Sequence, residues 1–331
     1  MQRSRAGPIA RFLLAAVLAV ACGLDPGEAT GESYPDRPIH IVVPEAGAQS
    51  DLTGRMLAPI IARRLGQPVV IDNRVGAGGT IAAQTVAHAR PDGYTLLIGG
   101  INNVVLAGLL RSDLGYAAAS DLKPLGGIAR IPYGIAVSPR IPVRNLSELI
   151  AYARAHPGDL TFGSSGIGSS SQLAIEWLKS RAGLDMVHVP YRGSVTALPE
   201  LMAGRIDVLA CDLAAQLPHA KAGRLRIVAV TGARRAAAAP QIPTVDEQGL
   251  TGYALEPWYG LFAPAAIPSE IAEALSDALT EALSASEVRS HFAAQGYEPM
   301  PMSGDDVRAL TISETAKYGG LIDAAGLRKS Q

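Results

Sequence analysis

Along most of this chain, short β-branched runs alternate with longer stretches whose apolar residues recur every three or four positions. The first run, RPIHIVV at 37–43, predicts a strand, and a loop of small residues, PEAGAQSD, follows it. In the next stretch, LTGRMLAPIIARRLG, Leu52, Met56, Ile60 and Ile61 recur at helical spacing. Gly66 ends that pattern, and Pro59 inside it predicts a kink. The unit then repeats. PVVIDN reads as a strand, RVGAGG as a loop and TIAAQTVAHAR as a helix capped by Thr80, and the Asp92-Gly93 turn leads into a third strand, YTLLIGG.

The middle third keeps the alternation. YGIAVS is a strand, NLSELIAYARAH a helix starting near Asn145 or Ser147, and LTFGSS a strand ahead of a serine-rich loop. In SQLAIEWLKSRAG, Leu173, Trp177 and Leu178 share a face and Gly183 stops the helix. MVHVPY, GSVTALPELMAG, IDVLACD and RLRIVAVTG continue the series. YGLFAPA comes late, and helices are predicted over 268–285 and 305–316. Strands alternating with helices imply parallel sheet covered on both faces, an α/β fold. Two groups of such units and a returning C-terminal segment predict two lobes, with the chain passing between them more than once. In such sheets, ligands sit beyond the carboxyl ends of the strands, where helix N-termini point.

Composition narrows the function. The 331 residues fit two domains, and 48% hydrophobic against 18% charged residues exclude a disordered chain. With 29 basic and 30 acidic residues there is no electrostatic footprint for nucleic acid, and 5% aromatics leave few surfaces on which bases would stack.

The N-terminus adds a destination. Arg3, Arg5 and Arg11 precede an uncharged apolar run at 12–21, shorter than the roughly 20 residues of a bilayer span and ending in small residues. This predicts a secretory signal peptide over 1–21 and a polar tail at 22–33. Ala19-Val20-Ala21 fits a cleavage site, while Cys22 directly after it is a candidate for lipid attachment, so both routes of processing stay open. Cleavage removes three arginines and no acids, leaving 26 basic against 30 acidic residues, a net charge of −4. Export permits disulfides, yet Cys22 and Cys211 are the only cysteines, and Cys211 in DVLACD reads as a small core residue.

Four loops carry candidate chemistry: 44–51, VGAGGT at 75–80, SSGIGSSS at 164–171 and YRGS at 191–194. Each puts backbone N–H groups and hydroxyls at a helix start, which favours an anion without any arginine. Ordinary turns and caps use the same residues. Nucleotide spacings are not met, because GAGG and GIG lack a further glycine and no Gly-Lys-Ser/Thr occurs. The nucleophile elbow fails by one residue at 163–166. None of His40, His88, His156, His188, His219 and His291 is marked as a base for the serines, and metal-ligand spacings are absent. The serine loop therefore reads as holding rather than attacking, with no cofactor.

HVPYRGSVTALPELMAGRIDVLACD and EPWYGLFAPA resemble the exported substrate-binding proteins of tripartite tricarboxylate transporters, the Bug family. YPDRPIHIVVP, LGQPVVIDNRVGAGGTIAAQTVAHARPDGYTLLIG, TFGSSGIGSSSQLA, GRLRIVAVTGARR and PQIPTVDEQGLTGY resemble its other signatures, in the same order. The resemblance runs from about Tyr34 to the C-terminus. It implies a two-lobed type II periplasmic binding-protein ("Venus flytrap") fold, with 34–135 and 232–331 in lobe 1 and 136–231 in lobe 2. It further implies a periplasmic, non-enzymatic protein that closes over a small organic carboxylate and delivers it to integral-membrane transporter subunits. No coiled coil or broad apolar run argues against a monomer.

Carried over residue by residue, the first lobe's ligand contacts fall at Glu45, Ala46, Gly47, Ala48, Asp51, Ile101, Asn102 and Asn103. The second lobe's fall at Ser164, Ser165, Gly168 and Ser169, with Tyr191 and Asp212 nearby, while Trp258 and Tyr259 belong to the cleft wall, the hinge or the core. The departures matter. The first loop is one residue short, Ala48 replaces its second glycine, and Glu45 stands where the family has an aromatic. Gln172 replaces a frequent histidine, and VLAG at 105–108 replaces Asn-Pro. Glu45 either points to solvent or faces the cleft, where it repels a second carboxylate or receives an ammonium. The expected ligand is thus an amino-bearing or singly charged carboxylate. Two other outputs remain: a ligand sensor feeding a signalling partner, and a secreted hydrolase or lyase using His188 or Asp212 as base.

Overall fold

Strand β1 (Ile39–Val43) pairs in parallel with β2 (Val69–Asn73) and β3 (Thr95–Gly100). Ile39, Ile41, Val42 and Val43 are all buried, the run expected of a strand covered on both faces. The computed structural model describes residues 34–46, 49–193, 195–324 and 326–328. The predicted signal peptide, the tail with Cys22, and the loop residues Gly47 and Ala48 lie outside the described residues.

Helix α1 (Gln49–Leu65) runs through Pro59 as one element, with that proline exposed. It starts ahead of Leu52, and its buried stripe is Ser50, Thr53, Leu57, Ile60 and Ile61. Leu52 lies off this stripe, 45% exposed, contrary to the expected face. Helix α2 (Thr80–Ala87) is preceded by Gly79 at φ 89°, so glycine and not Thr80 occupies the cap. Thr80 is the first helical residue and its hydroxyl donates to Ala77 O at 3.0 Å. A π-helical segment, Ile101–Leu106, follows β3.

Strand β4 (Leu122–Arg130) then leads through Ile131-Pro132 into β5 (Tyr133–Val137), which opens a second sheet with β6 (Thr161–Ser164), β7 (Val187–Pro190), β8 (Val208–Asp212) and β9 (Arg226–Val230). The chain returns at β10 (Trp258–Pro264), and β11 (Glu298–Pro299) completes the first sheet. The orders are β11-β4-β10-β3-β1-β2 and β7-β6-β8-β5-β9. Neither sheet is purely parallel, which corrects the sequence expectation. The two strands by which the chain enters a sheet from the other one, β5 and β10, run antiparallel to both neighbours. Neither arrives through a crossover helix within its own sheet, so the rule that makes βαβ units parallel does not act on them. Tyr133 already belongs to the second sheet, ahead of the expected boundary at 135.

Helices cover these sheets, and their ends follow local chemistry. Asn145 caps α3 (Leu146–Ala155) by accepting from Glu148 N at 2.8 Å. Ser169 caps α4 (Ser170–Ala182), and Gly183 at φ 62° ends it where a side chain would be strained. Asp212 caps α5 (Leu213–Lys221). The C-terminal part holds α6 (Ser269–Ser284), α7 (Ser286–Ala294) and α8 (Gly304–Ala324). α8 continues past the predicted end at 316 because Tyr318 is buried against Trp177, edge to face at 6.4 Å, while Trp177 also stacks on Tyr253 at 4.3 Å. No described helix is long and apolar enough to cross a membrane.

Candidate functional site

The loops after β1, β3, β6 and β8 meet where the two sheets face each other. Two hydrogen bonds tie them together. Gln49 Nε2, at the start of α1, donates to Asp212 Oδ2 at 2.8 Å, and Ser170 N, at the start of α4, donates to Asn102 Oδ1 at 2.9 Å. Tyr297 adds a longer contact to Asp212 Oδ2 at 3.5 Å.

In the serine loop most donors are already committed. Ser165 N donates to Ser171 Oγ at 2.8 Å, Gly166 N to Ser164 Oγ at 3.1 Å and Gly168 N to Gln172 Oε1 at 2.7 Å. Ser169 Oγ donates to Gly166 O at 2.7 Å, and Ser171 Oγ also lies 2.9 Å from Ser165 Oγ and 3.0 Å from Ser169 Oγ. Ser165, Ser169 and Ser171 thus form a capping network at the α4 N-terminus, while Ser170 reaches outward to Asn102 and Tyr133.

Ser164 is fully buried, and its hydroxyl lies 2.6 Å from His188 Nε2. His188 stacks on Phe162 at 4.8 Å between ring centres, and burial holds its imidazole below the usual range, favouring the neutral ring. No described carboxylate hydrogen-bonds its Nδ1. The pair therefore lacks both solvent access at the serine and the third group of a nucleophilic triad.

Other residues at these loops are of the opposite kind. Burial raises the Glu45 carboxyl above its ordinary range, and its side chain has no hydrogen-bond or salt-bridge partner among the described residues. Burial likewise pushes Asp212 up to about 6, against the lowering effect of hydrogen bonds from Gln49, Ala214 N and Tyr297. The hydroxyls of Tyr133, Tyr259 and Tyr297 are raised first by burial and then by the charges of Glu45 and Asp212. Glu45 is thus half-buried, and its charge acts on the same tyrosines as that of Asp212. The charged groups acting on these tyrosines are both negative.

The remaining predicted residues divide clearly. Asp51 is buried and held by Arg55 and by Asn73 Nδ2, each at 3.0 Å. Asn103 accepts from Gly100 N at 2.9 Å and donates to Gly79 O at 3.3 Å, tying β3 to the glycine loop. Ile101 is core and Ala46 is exposed. Trp258 is fully buried and donates to Glu314 Oε2 at 2.7 Å, a packing role, whereas Tyr259 belongs with the Glu45 group. The hydroxyl of Tyr191 is raised by burial and then by Glu200, not by Glu45 or Asp212, which puts it outside that group. Burial drives the Cys211 thiol up to about 12, leaving an unreactive core side chain. The sequence reading missed Gln49, Tyr133, Ser170 and Tyr297. Gln49 and Ser170 lay inside the quoted loops, but Tyr133 and Tyr297 carry no local signal.

A pair of mixed sheets whose helix-opening loops converge defines a two-lobed α/β solute-binding protein. The family model "Tripartite tricarboxylate transporter family receptor" matches residues 53–327. Protein BugT of Bordetella pertussis is 32% identical over 90% of this chain and 92% of its own. Among solved structures, adipate-bound Rpa4515 of R. palustris is 34% identical with a TM-score of 0.81, covering 88% of this chain and 98% of that one. MatC of Rhodopseudomonas palustris, with bound malate, is 30% identical with a TM-score of 0.78, covering 87% and 100%. The chain belongs to this tripartite tricarboxylate transporter receptor family, the Bug family of periplasmic solute-binding proteins, and is a binding protein rather than an enzyme.

Proposed function

We propose that this protein is exported by its 1–21 segment, captures a small carboxylate between its lobes and hands it to integral-membrane transporter subunits. The observation that carries the reading is the pair of hydrogen bonds, Gln49 to Asp212 and Ser170 to Asn102, by which loops of the two sheets meet over the same few residues. Closure over a solute buries it there and forms a joint surface for a membrane partner. Lobe 1 is read as 34–131 with 232–331 and lobe 2 as 132–231. The protein acts as a monomer, with Cys22 as the point where a lipid would be attached.

The ligand is a monocarboxylate or an amino-bearing carboxylate. Glu45, half-buried and without a cationic partner among the described residues, disfavours a second carboxylate at its end of the cleft. The related proteins bound to adipate and malate support the carboxylate class. A thermal-shift series on ligand-stripped protein tests this with mono-, di- and tricarboxylates, amino acids and aromatic acids. A ligand at 100 times its Kd adds about 2.7 kcal/mol of stability, a clear rise in Tm. Recovery of the acid chemically unchanged is expected. Silence across every acid would overturn the reading.

A further inference from the structure

Two of the hydrogen bonds between the lobes are opposite in sense. Asn102 of lobe 1 offers an oxygen to a lobe 2 amide, Ser170 N, at 2.9 Å. Gln49 of lobe 1 offers an N–H to a lobe 2 carboxylate, Asp212 Oδ2, at 2.8 Å. Tyr133 touches both lobe 2 residues: it pairs with Asp212 in the sheet, and its hydroxyl is 3.5 Å from Ser170 Oγ. Lobe 1 thus contributes one acceptor and one donor to these loops.

The balance of free valence points the same way. The amides of Ser165, Gly166 and Gly168 are held by the chain's own side-chain oxygens. Glu45, by contrast, is a desolvated carboxylate without a partner among the described residues, and it acts on the same tyrosines as Asp212. Two carboxylates converging in a half-buried site are stabilised most by a cation that donates to both.

We infer that the ligand is a zwitterionic amino acid, its carboxylate taking the place of Asn102 Oδ1 on Ser170 N and its ammonium the place of Gln49 Nε2 on Asp212, with Glu45 as the second counter-charge. This rests on the carboxylate-binding reading above and narrows it. Asn102 and Gln49 are then internal stand-ins, which a ligand displaces at both ends at once. Monocarboxylates without an ammonium satisfy only one end, and dicarboxylates set a negative charge against Glu45 and Asp212.

The test is titration calorimetry of ligand-stripped protein with matched sets: alanine, leucine, glutamate, 4-aminobutanoate and 6-aminohexanoate, each beside its deaminated acid and the dicarboxylate of equal length. At least one amino acid is expected to bind about tenfold or more tighter than both counterparts, the usual difference for hydrogen bonds to charged groups. Glu45→Gln and Asp212→Asn should each erase that preference, bringing the amino acid and its deaminated acid to similar affinity. Glu45→Gln is the decisive variant, since Asp212 also caps α5. Deaminated acids or dicarboxylates binding as tightly as their amino counterparts would overturn the inference and leave the carboxylate reading standing. No binding by any acid would remove that reading, and the inference with it.

Discussion

The serine loop and the Glu45–Asp212 group have opposite relations to their own polarity. The loop holds five serines in eight residues, yet nearly every amide and hydroxyl there is spent on a neighbour. Its density of polar groups describes a cap. The acid group is sparse, drawn from distant stretches of chain; Asp212 has its donors, but the half-buried Glu45 carboxylate has none among the described residues. A site is defined by groups left without partners, and a sequence displays groups, not partners.

The sharpest way to break that contrast is through Asp212. Its folded-state pKa of about 6 lies above the ordinary carboxylate value, so the folded protein holds this proton where the unfolded chain has released it. From this group, stability is greatest below about pH 4, falls as pH rises from about 4 to 6, and is level above that; the full loss is about 3 kcal/mol. Urea unfolding of wild type against Asp212→Asn from pH 4 to 8 reads this directly. A flat difference between the two curves would mean that Asp212 is well solvated and that the acid group is no different from surface acids.

Ser171 tests the other side. It is fully buried, and its hydroxyl serves Ser165 N, Ser165 Oγ and Ser169 Oγ. Ser171→Ala strands the Ser165 amide and should lower unfolding stability by about 2 kcal/mol. Ligand selectivity should survive, because the loop acts as a cap. A change in the ranking of ligands with little loss of stability would reverse the roles assigned to the two regions.

What the sequence made legible follows from the same distinction. Strands such as 37–43 and helices such as α4 were plain because their signals are local: β-branched runs, three- and four-residue spacing, Asn145 as cap, Gly183 as stop. The antiparallel entry of β5 and β10 was not legible, since direction in a sheet is fixed by where the chain comes from. Nor was the exposure of Leu52, because the buried stripe of α1 includes the polar Ser50 and Thr53, which carry no hydrophobic signal. Of the site, Asn102, Asp212 and Tyr259 were reachable through resemblance to a family. Gln49 was hidden because no motif requires it, and its role exists only once Asp212, far along the chain, arrives beside it.

Asn102 gives the smallest effect and the finest discrimination. Its Oδ1 makes one neutral bond to Ser170 N, so Asn102→Ala should cost about 1 kcal/mol in unfolding. If that bond were only structural, affinity for acids would fall or stay level as stability falls. If Asn102 instead competes with the ligand carboxylate for Ser170 N, its removal deletes a rival, and affinity for acids should rise a few-fold even as the ligand-free protein weakens. The expected result is that divergence: a lower Tm without ligand and a larger Tm rise with it. A parallel fall in both would locate the carboxylate at another helix start and leave Ser170 as part of the cap it resembles.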